Sequence, residues 1–357
     1  MRIGTSYFGS RAVRHVAGDM ERLRLLGFTD VLHTFSEEDM EYYRDSVRDI
    51  AAESHARGLT VYMSPWSVAN IFGGQALSKF VGYHPEECQV GSDGKTYPAA
   101  CLNSEKLFEL MIRWVDAVKA AGADVVFWDE PHWLLYETGL FDMDPSVWGC
   151  RCARCKDLYR ARYGAEMPHE ETDEVVGFKH DSAARLLFRL SAYAKSLGLR
   201  VAVCLLPMLK SERDWQHWHE IAAHPDIDIF ATDPYTMLGE TGLDDYYSLG
   251  AEKFVSFYAG KVKALCAQYG KEGQIWIQNF MIPRGREDEV AVAVKAAYGA
   301  GIRNIFAWGF EGSANMGFLR CEDPQAAWAS YTAAVREAAG QDEGDAEAPG
   351  PERGESA

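Results

Sequence analysis

The chain has 357 residues, 47% hydrophobic and 25% charged, a globular composition that excludes a disordered or fibrous protein for most of its length. The formal net charge is −17; residues 340–357 hold six acids against Arg353, so −5 belongs to that segment and −12 to the rest. A surface of that sign repels phosphate backbones and anionic membranes, which excludes a nucleic-acid binder and favours a small neutral substrate.

The first residues, Met1 to Phe8, lack the charged start, apolar middle and cleavage site of a secretory signal. No apolar run reaches the roughly 18 residues of a membrane span. The protein is therefore expected to be cytoplasmic, with no membrane partner and with self-association left open. From there, short apolar, β-rich runs recur at 2–8, 30–35, 60–65, 124–129, 200–207, 228–233, 274–279 and 304–308. Between them lie stretches of helical period at 16–26, 40–56, 104–121, 182–197, 252–269, 287–299 and 325–339. Several helices stop at a glycine just before the next strand, as in Leu26-Gly27-Phe28 and Leu197-Gly198-Leu199, which reads as a C-cap. Alternating helices and near-continuously apolar strands predict a parallel sheet covered on its outside, and eight units fit a closed (β/α)₈ TIM barrel over residues 1–339. An open dinucleotide-binding sheet is disfavoured because no Gly-x-Gly-x-x-Gly follows the first strand. Two connections are long, after the third strand and after the fourth. Loops there sit at the catalytic face of a barrel, so this material is expected to build the site and to close the pocket on one side, which predicts exo action. The acidic segment 340–357 is expected to be disordered.

In a barrel the positions to examine are the C-terminal strand ends. The fourth strand ends in Trp128-Asp129-Glu130-Pro131-His132-Trp133, the sixth in Asp233-Pro234-Tyr235, the seventh in Gln278-Asn279, and the eighth in Trp308-Gly309-Phe310-Glu311. Burying two adjacent acids without a function costs desolvation energy. Paired acids among aromatic residues match glycosidic cleavage, where one carboxylic acid protonates the leaving oxygen and a second group stabilises the oxocarbenium-like centre. Glu130 is assigned as general acid/base. Asp129, Asp233 and Glu311 are the candidates for the second group, and Trp66, His132, Tyr235, Gln278, Asn279 and Trp308 for contacts to a carbohydrate substrate. The only His-x-His, His217-Trp218-His219, falls between the fifth and sixth strands and is expected on a helix surface.

The cysteines are the most specific local signal. Cys150-x-Cys152-x-x-Cys155 packs three thiols into six residues just before a helix, inside a loop spanning about 130–165. A structural zinc ion takes four ligands. The fourth is Cys101 or Cys88, with Cys101 preferred because it directly precedes a helix in the loop after the third strand, a barrel neighbour of the fourth. Four thiolates leave no open position, so the Zn²⁺ is expected to be structural.

These residues resemble clan A glycoside hydrolases, and among them the family 42 β-galactosidases. The resemblance lies in Cys101-Leu102-Asn103, then Trp128-Asp129-Glu130, then Cys150-Arg151-Cys152-Ala153-Arg154-Cys155-Lys156 with Tyr159 and Tyr163 following. It implies a (β/α)₈ catalytic domain, a four-cysteine zinc site and Glu130 as acid/base. Two departures stand out. The family has Asn-Glu where this chain has Asp129-Glu130, and its nucleophilic glutamate ends the seventh strand, where this chain reads Trp276-Ile277-Gln278-Asn279-Phe280. The triplet Asp129-Glu130-Pro131 also resembles the substrate-assisted β-N-acetylhexosaminidases, in which the substrate's acetamido oxygen attacks the anomeric carbon. That resemblance implies that Asp129 orients the acetamide, with Tyr235 or Asn279 steadying its oxygen. A third reading is a carbohydrate-binding barrel that has lost its nucleophile.

Overall fold

The computed structural model describes residues 1–8, 10–134, 143–236 and 250–347. Its strands are β1 (Arg2–Tyr7), β2 (Asp30–Thr34), β3 (Thr60–Ser64), β4 (Cys88–Val90), β5 (Thr96–Ala100), β6 (Val125–Asp129), β7 (Arg200–Leu205), β8 (Ile229–Thr232), β9 (Glu272–Gln278) and β10 (Asn304–Trp308). Its α-helices are α1 (Val13–Leu25), α2 (Glu37–Tyr42), α3 (Arg44–His55), α4 (Lys79–Tyr83), α5 (Glu105–Ala120), α6 (Ala153–Tyr163), α7 (Asp173–Ser196), α8 (Glu212–Ala223), α9 (Gly250–Tyr269), α10 (Asp288–Gly299) and α11 (Pro324–Glu347). All strands but β4 and β5 are parallel and close into a barrel in the order β1-β10-β9-β8-β7-β6-β3-β2. The fold is a (β/α)₈ TIM barrel, as the alternation of runs predicts. Among the described residues no helix is long and apolar enough to cross a membrane.

Strand alternation decides what faces inward. Tyr62, Phe127, Trp276 and Phe306 point into the barrel and fill it, with Phe127 on Trp276 at 5.0 Å and Trp276 on Phe306 at 4.8 Å between ring centroids. Their neighbours Val126, Trp128, Ile275 and Ile305 point outward to the helices. Trp128 is pinned there by its indole N–H, which donates to Ser191 of α7 at 3.2 Å. The N-terminal face is closed by charge. Glu272 accepts from Arg200 at 2.7 Å and from Asn304 at 2.6 Å, while Arg2 pairs with Asp30.

Three elements differ from expectation. The predicted helix 40–56 is two helices broken at Tyr43, because a capping box between Ser36 and Asp39 starts α2 early. Buried Glu37 then accepts from the Ala69 and Phe80 amides at 2.9 and 2.8 Å and anchors the loop after β3. Residues 340–347, expected to open a disordered tail, continue α11, and Asp342 pairs with Arg303 at 2.6 Å. Residues 348–357 lie outside the described residues. His217 and Trp218 do lie on a helix, α8, but Trp218 is buried and His217 is covered by stacking on His180 at 4.4 Å.

Candidate active site and thiolate cluster

The loops at the C-terminal face hold the candidate residues. Phe127 faces the barrel interior, so Asp129, two residues on, faces it too. In register beside it stands Cys204 of β7, and beyond that Asp233 one residue past β8. By the same alternation Glu130 belongs outside. It returns to the site because its backbone is left-handed, with φ of 43°. Both carboxyls then lie under Gly73 of the loop after β3. A Cβ at that position would come within 2.8 Å of Asp129 Oδ2 and 3.0 Å of Glu130 Oε2. The Gly73 amide donates to the Asp129 carbonyl at 3.0 Å, which fixes the loop over the acids.

Asp233 completes the cluster. Its carboxyl faces that of Glu130, and Cys204 and Tyr235 lie within electrostatic reach. Burial first, then the charge of Glu130, pushes Asp233 well above the usual carboxyl range. Asp129 is pushed up by the same two causes, opposed by the Ser64 hydroxyl. Burial thus biases both carboxyls toward the protonated form beside the half-buried Glu130. Burial also raises Tyr235 and keeps His132 neutral by lowering it.

The remaining candidates are placed as follows. Trp66 and Trp308 stack at 5.6 Å with their planes 8° apart, and Phe8 leans on both. Each indole is only 8% exposed, so the pair forms a wall and leaves little ring surface for a sugar. Tyr235 meets Phe280 edge-on at 5.1 Å. The Gln278 amide donates to the Phe280 carbonyl at 3.1 Å, and that of Asn279 to the Gly309 carbonyl at 2.9 Å. Glu311 is not brought to the cluster. It is held by Arg22 of α1 at 2.6 Å, because Asp19 on that helix also binds Arg22 and receives the Tyr7 hydroxyl. Sequence reasoning missed Ser64, Gly73 and Cys204. Strand parity would have found Ser64 and Cys204, and the Gly73-Gly74 doublet in a loop over the site marked the third. Asp233 Oδ1, Asn279 Oδ1 and His132 Nε2 are buried with no hydrogen-bond partner among the described residues.

A second cluster is built from cysteines of the two long loops. The sulfurs of Cys101, Cys150, Cys152 and Cys155 all lie within 4.8 Å of one another. Cys101 is 3.4 Å from Cys155 and 3.7 Å from Cys152, near the ~3.8 Å edge of a tetrahedron with metal–sulfur bonds of about 2.3 Å. Cys150 Sγ accepts from the Val90 and Cys152 amides at 3.4 Å each, and Cys155 Sγ from Asn103 at 3.4 Å. Such donors stabilise thiolates. Cys152 caps α6, whose N-terminus adds positive potential. The four residues fit a metal ion. Cys88 is turned away, its thiol donating to the Val81 and His84 carbonyls.

No family model matches the chain, and no curated relative matches it. Solved structures do. A GH5_18 protein from Streptomyces cattleya, in complex with GlcNAc, is 12% identical over 98% of this chain and 82% of its own, with a TM-score of 0.58. The exo-β-1,4-mannosidase Op5Man5 from Opitutaceae bacterium strain TAV5 is 11% identical over 95% of this chain and 60% of its own, at 0.56. A D-allulose 3-epimerase from Methylomonas sp. is 12% identical over 95% of this chain and 98% of its own, at 0.52. At these identities the likeness shows the barrel. It does not separate a glycosidase from an epimerase.

Two results are expected from the carboxyl geometry. Gly73→Ala places a methyl group against both acids, so it should remove most activity while the melting temperature falls little; wild-type activity in that variant would contradict the placement of the loop. For Asp233, the folded-state pKa lies above the unfolded value of about 3.9. Its contribution is fully present below that value and is lost as pH rises through the folded pKa. Asp233→Asn removes the ionisation, so the melting temperature of the variant relative to wild type should climb as pH rises above about 4, over the range where folded wild type keeps its proton. A pH-independent difference would rule out a raised Asp233.

Proposed function

We propose that the protein is a glycoside hydrolase with Glu130 as general acid/base, acting on 2-acetamido sugars through the substrate's own acetamido oxygen. The observation that carries this reading is the distribution of the acids. Asp129, Glu130 and Asp233 contact or face one another, whereas Gln278 offers an amide and Glu311 is held by Arg22. Opposed acids in a retaining pair stand about 5–5.5 Å apart, and in an inverting pair about 6.5–9.5 Å. Asp233, which faces Glu130, is taken as a partner of the acid/base and not as a carboxylate across the sugar ring. The nucleophile is then proposed to come from the substrate.

In this scheme Glu130 gives its proton to the glycosidic oxygen as that bond breaks, and the acetamido carbonyl oxygen bonds to the anomeric carbon. Asp129 receives the acetamide N–H at a carboxyl oxygen and orients the acetamide for attack. Glu130, now a carboxylate, takes a proton from water. The water oxygen bonds to the anomeric carbon, the ring opens, and the proton stored on Glu130 restores the acid. Asp233, which faces Glu130, is the neighbouring group that tunes its proton affinity. The Streptomyces cattleya barrel holds GlcNAc, a 2-acetamido sugar; that likeness is one of fold, and the reading rests on the acids. The thiolate cluster is proposed to hold a structural Zn²⁺ on Cys101, Cys150, Cys152 and Cys155, with no part in the chemistry.

The test is a panel of 4-nitrophenyl glycosides in both anomeric configurations, with and without a 2-acetamido group. Turnover confined to the 2-acetamido members, falling as fluorine is added to the acetyl methyl, supports substrate assistance. Turnover of plain 2-hydroxy glycosides, with azide rescue of Asp233→Gly to a glycosyl azide, would instead make Asp233 the nucleophile. Binding without turnover would leave a carbohydrate-binding barrel.

A further inference from the structure

Resting on the hydrolase reading, we infer that His132 is a positioning residue: its ring holds the Glu130 carbonyl and thereby keeps the acid/base carboxyl folded back beside Asp129. Three observations lead there. First, Glu130 sits in a conformation that its sequence does not favour. It precedes Pro131, and a residue before proline is biased toward the extended region. Extended backbone would continue β6 and send the Glu130 side chain to the outer face. The observed φ of 43° is the opposite choice.

Second, the contacts that impose that choice run through His132. Its Nδ1–H donates to the Glu130 carbonyl at 2.6 Å. Its backbone amide donates to the Ile71 carbonyl at 2.9 Å, in the same loop that carries Gly73. The Glu130 amide meanwhile donates to the Cys204 carbonyl at 3.0 Å. The Glu130 peptide is thus gripped on both sides. Because a carbonyl only accepts, Nδ1 carries the hydrogen, and the neutral ring leaves Nε2 bare.

Third, the ring makes no other hydrogen bond among the described residues. His132 is 6% exposed, and Nε2 has no partner among the described residues. Burying an imidazole costs desolvation that an apolar side chain of similar size would avoid. What the histidine supplies beyond such a side chain is the one bond to the Glu130 carbonyl.

The experiment compares His132→Leu, which keeps bulk and loses the donor, with His132→Asn, whose amide N–H stands in for Nδ1–H. On 2-acetamido glycosides with poor leaving groups, His132→Leu should lose roughly 10²-fold in kcat with little change in KM, the scale of a misplaced catalytic group. The loss should shrink with good leaving groups, which need little proton assistance, and His132→Asn should recover most of it. Wild-type kcat in His132→Leu, or Asn no better than Leu in folded protein, would overturn the proposal. If the wild type turns over no glycoside, the hydrolase reading fails separately, and a crystal structure of His132→Leu decides the positioning claim. An extended Glu130 with its carboxyl turned away from Asp129 supports that claim; a retained positive φ refutes it.

Discussion

Glu130→Gln should lower kcat/KM by roughly 10²–10⁴-fold on glycosides whose leaving group is another sugar, and by far less on those with an activated phenol. The amide is nearly isosteric. It still faces Asp233 and still fits beneath Gly73, so the site keeps its shape and loses only the transferable proton. The measurement is a leaving-group series for wild type and variant. A slope that steepens in the variant identifies the proton donor. Equal rates on a disaccharide would move the acid role to Asp129 or Asp233.

Cys152→Ser should release the metal and lower the melting temperature by at least roughly 5 °C. Apparent folding free energies of about 10–16 kcal/mol accompany structural zinc in small domains, and losing even a few kcal/mol shifts a domain of this size by about 2 °C per kcal/mol. The four sulfurs join three segments: Cys101 after β5, Cys150 and Cys152 before α6, and Cys155 within it. One lost thiolate frees all three. Metal analysis should give about one zinc per chain in wild type, and turnover should persist in the variant below its transition. Metal-free wild-type protein of unchanged stability would remove the metal from the account.

The barrel and the four cysteines were legible because both are written in local pattern. Apolar runs bounded by Gly27, Gly58, Gly122, Gly198 and Gly301 mark the units, and all five glycines do adopt the left-handed conformation of a C-cap. The hairpin of β4 and β5 left little signal, since three and five residues pair across a bulge. The site was half legible. Strand ends exposed Asp129, Glu130 and Asp233, but the return of Glu130 depends on one dihedral angle and on His132, neither of which composition or period encodes. Glu311 was a candidate from its place in the loop after the eighth strand, and its ion-pair partner could not be read from local pattern. Arg22, 289 residues earlier in the chain, claims it in space. Trp66 and Trp308 looked like sugar platforms, and the fold instead stacks them on each other.

The ties between the two long loops carry an engineering consequence. Gln89 of β4 accepts from the Leu134 amide at 3.1 Å and donates to the Ala100 carbonyl at 3.1 Å, and Arg151 N–H reaches the Val90 carbonyl at 2.7 Å. With the sulfurs added, the β3 and β6 side of the rim is one stapled block, and a substitution there disturbs the acids along with the pocket wall. The segment after β10 is tied elsewhere: the Met281 amide donates to the Leu319 carbonyl and the Glu322 amide to the Ile282 carbonyl, both at 2.9 Å, and Glu311 pairs with Arg22 of α1. Substitutions meant to spare the thiolate block should therefore start at exposed positions of that segment, such as Phe318, which is 77% exposed.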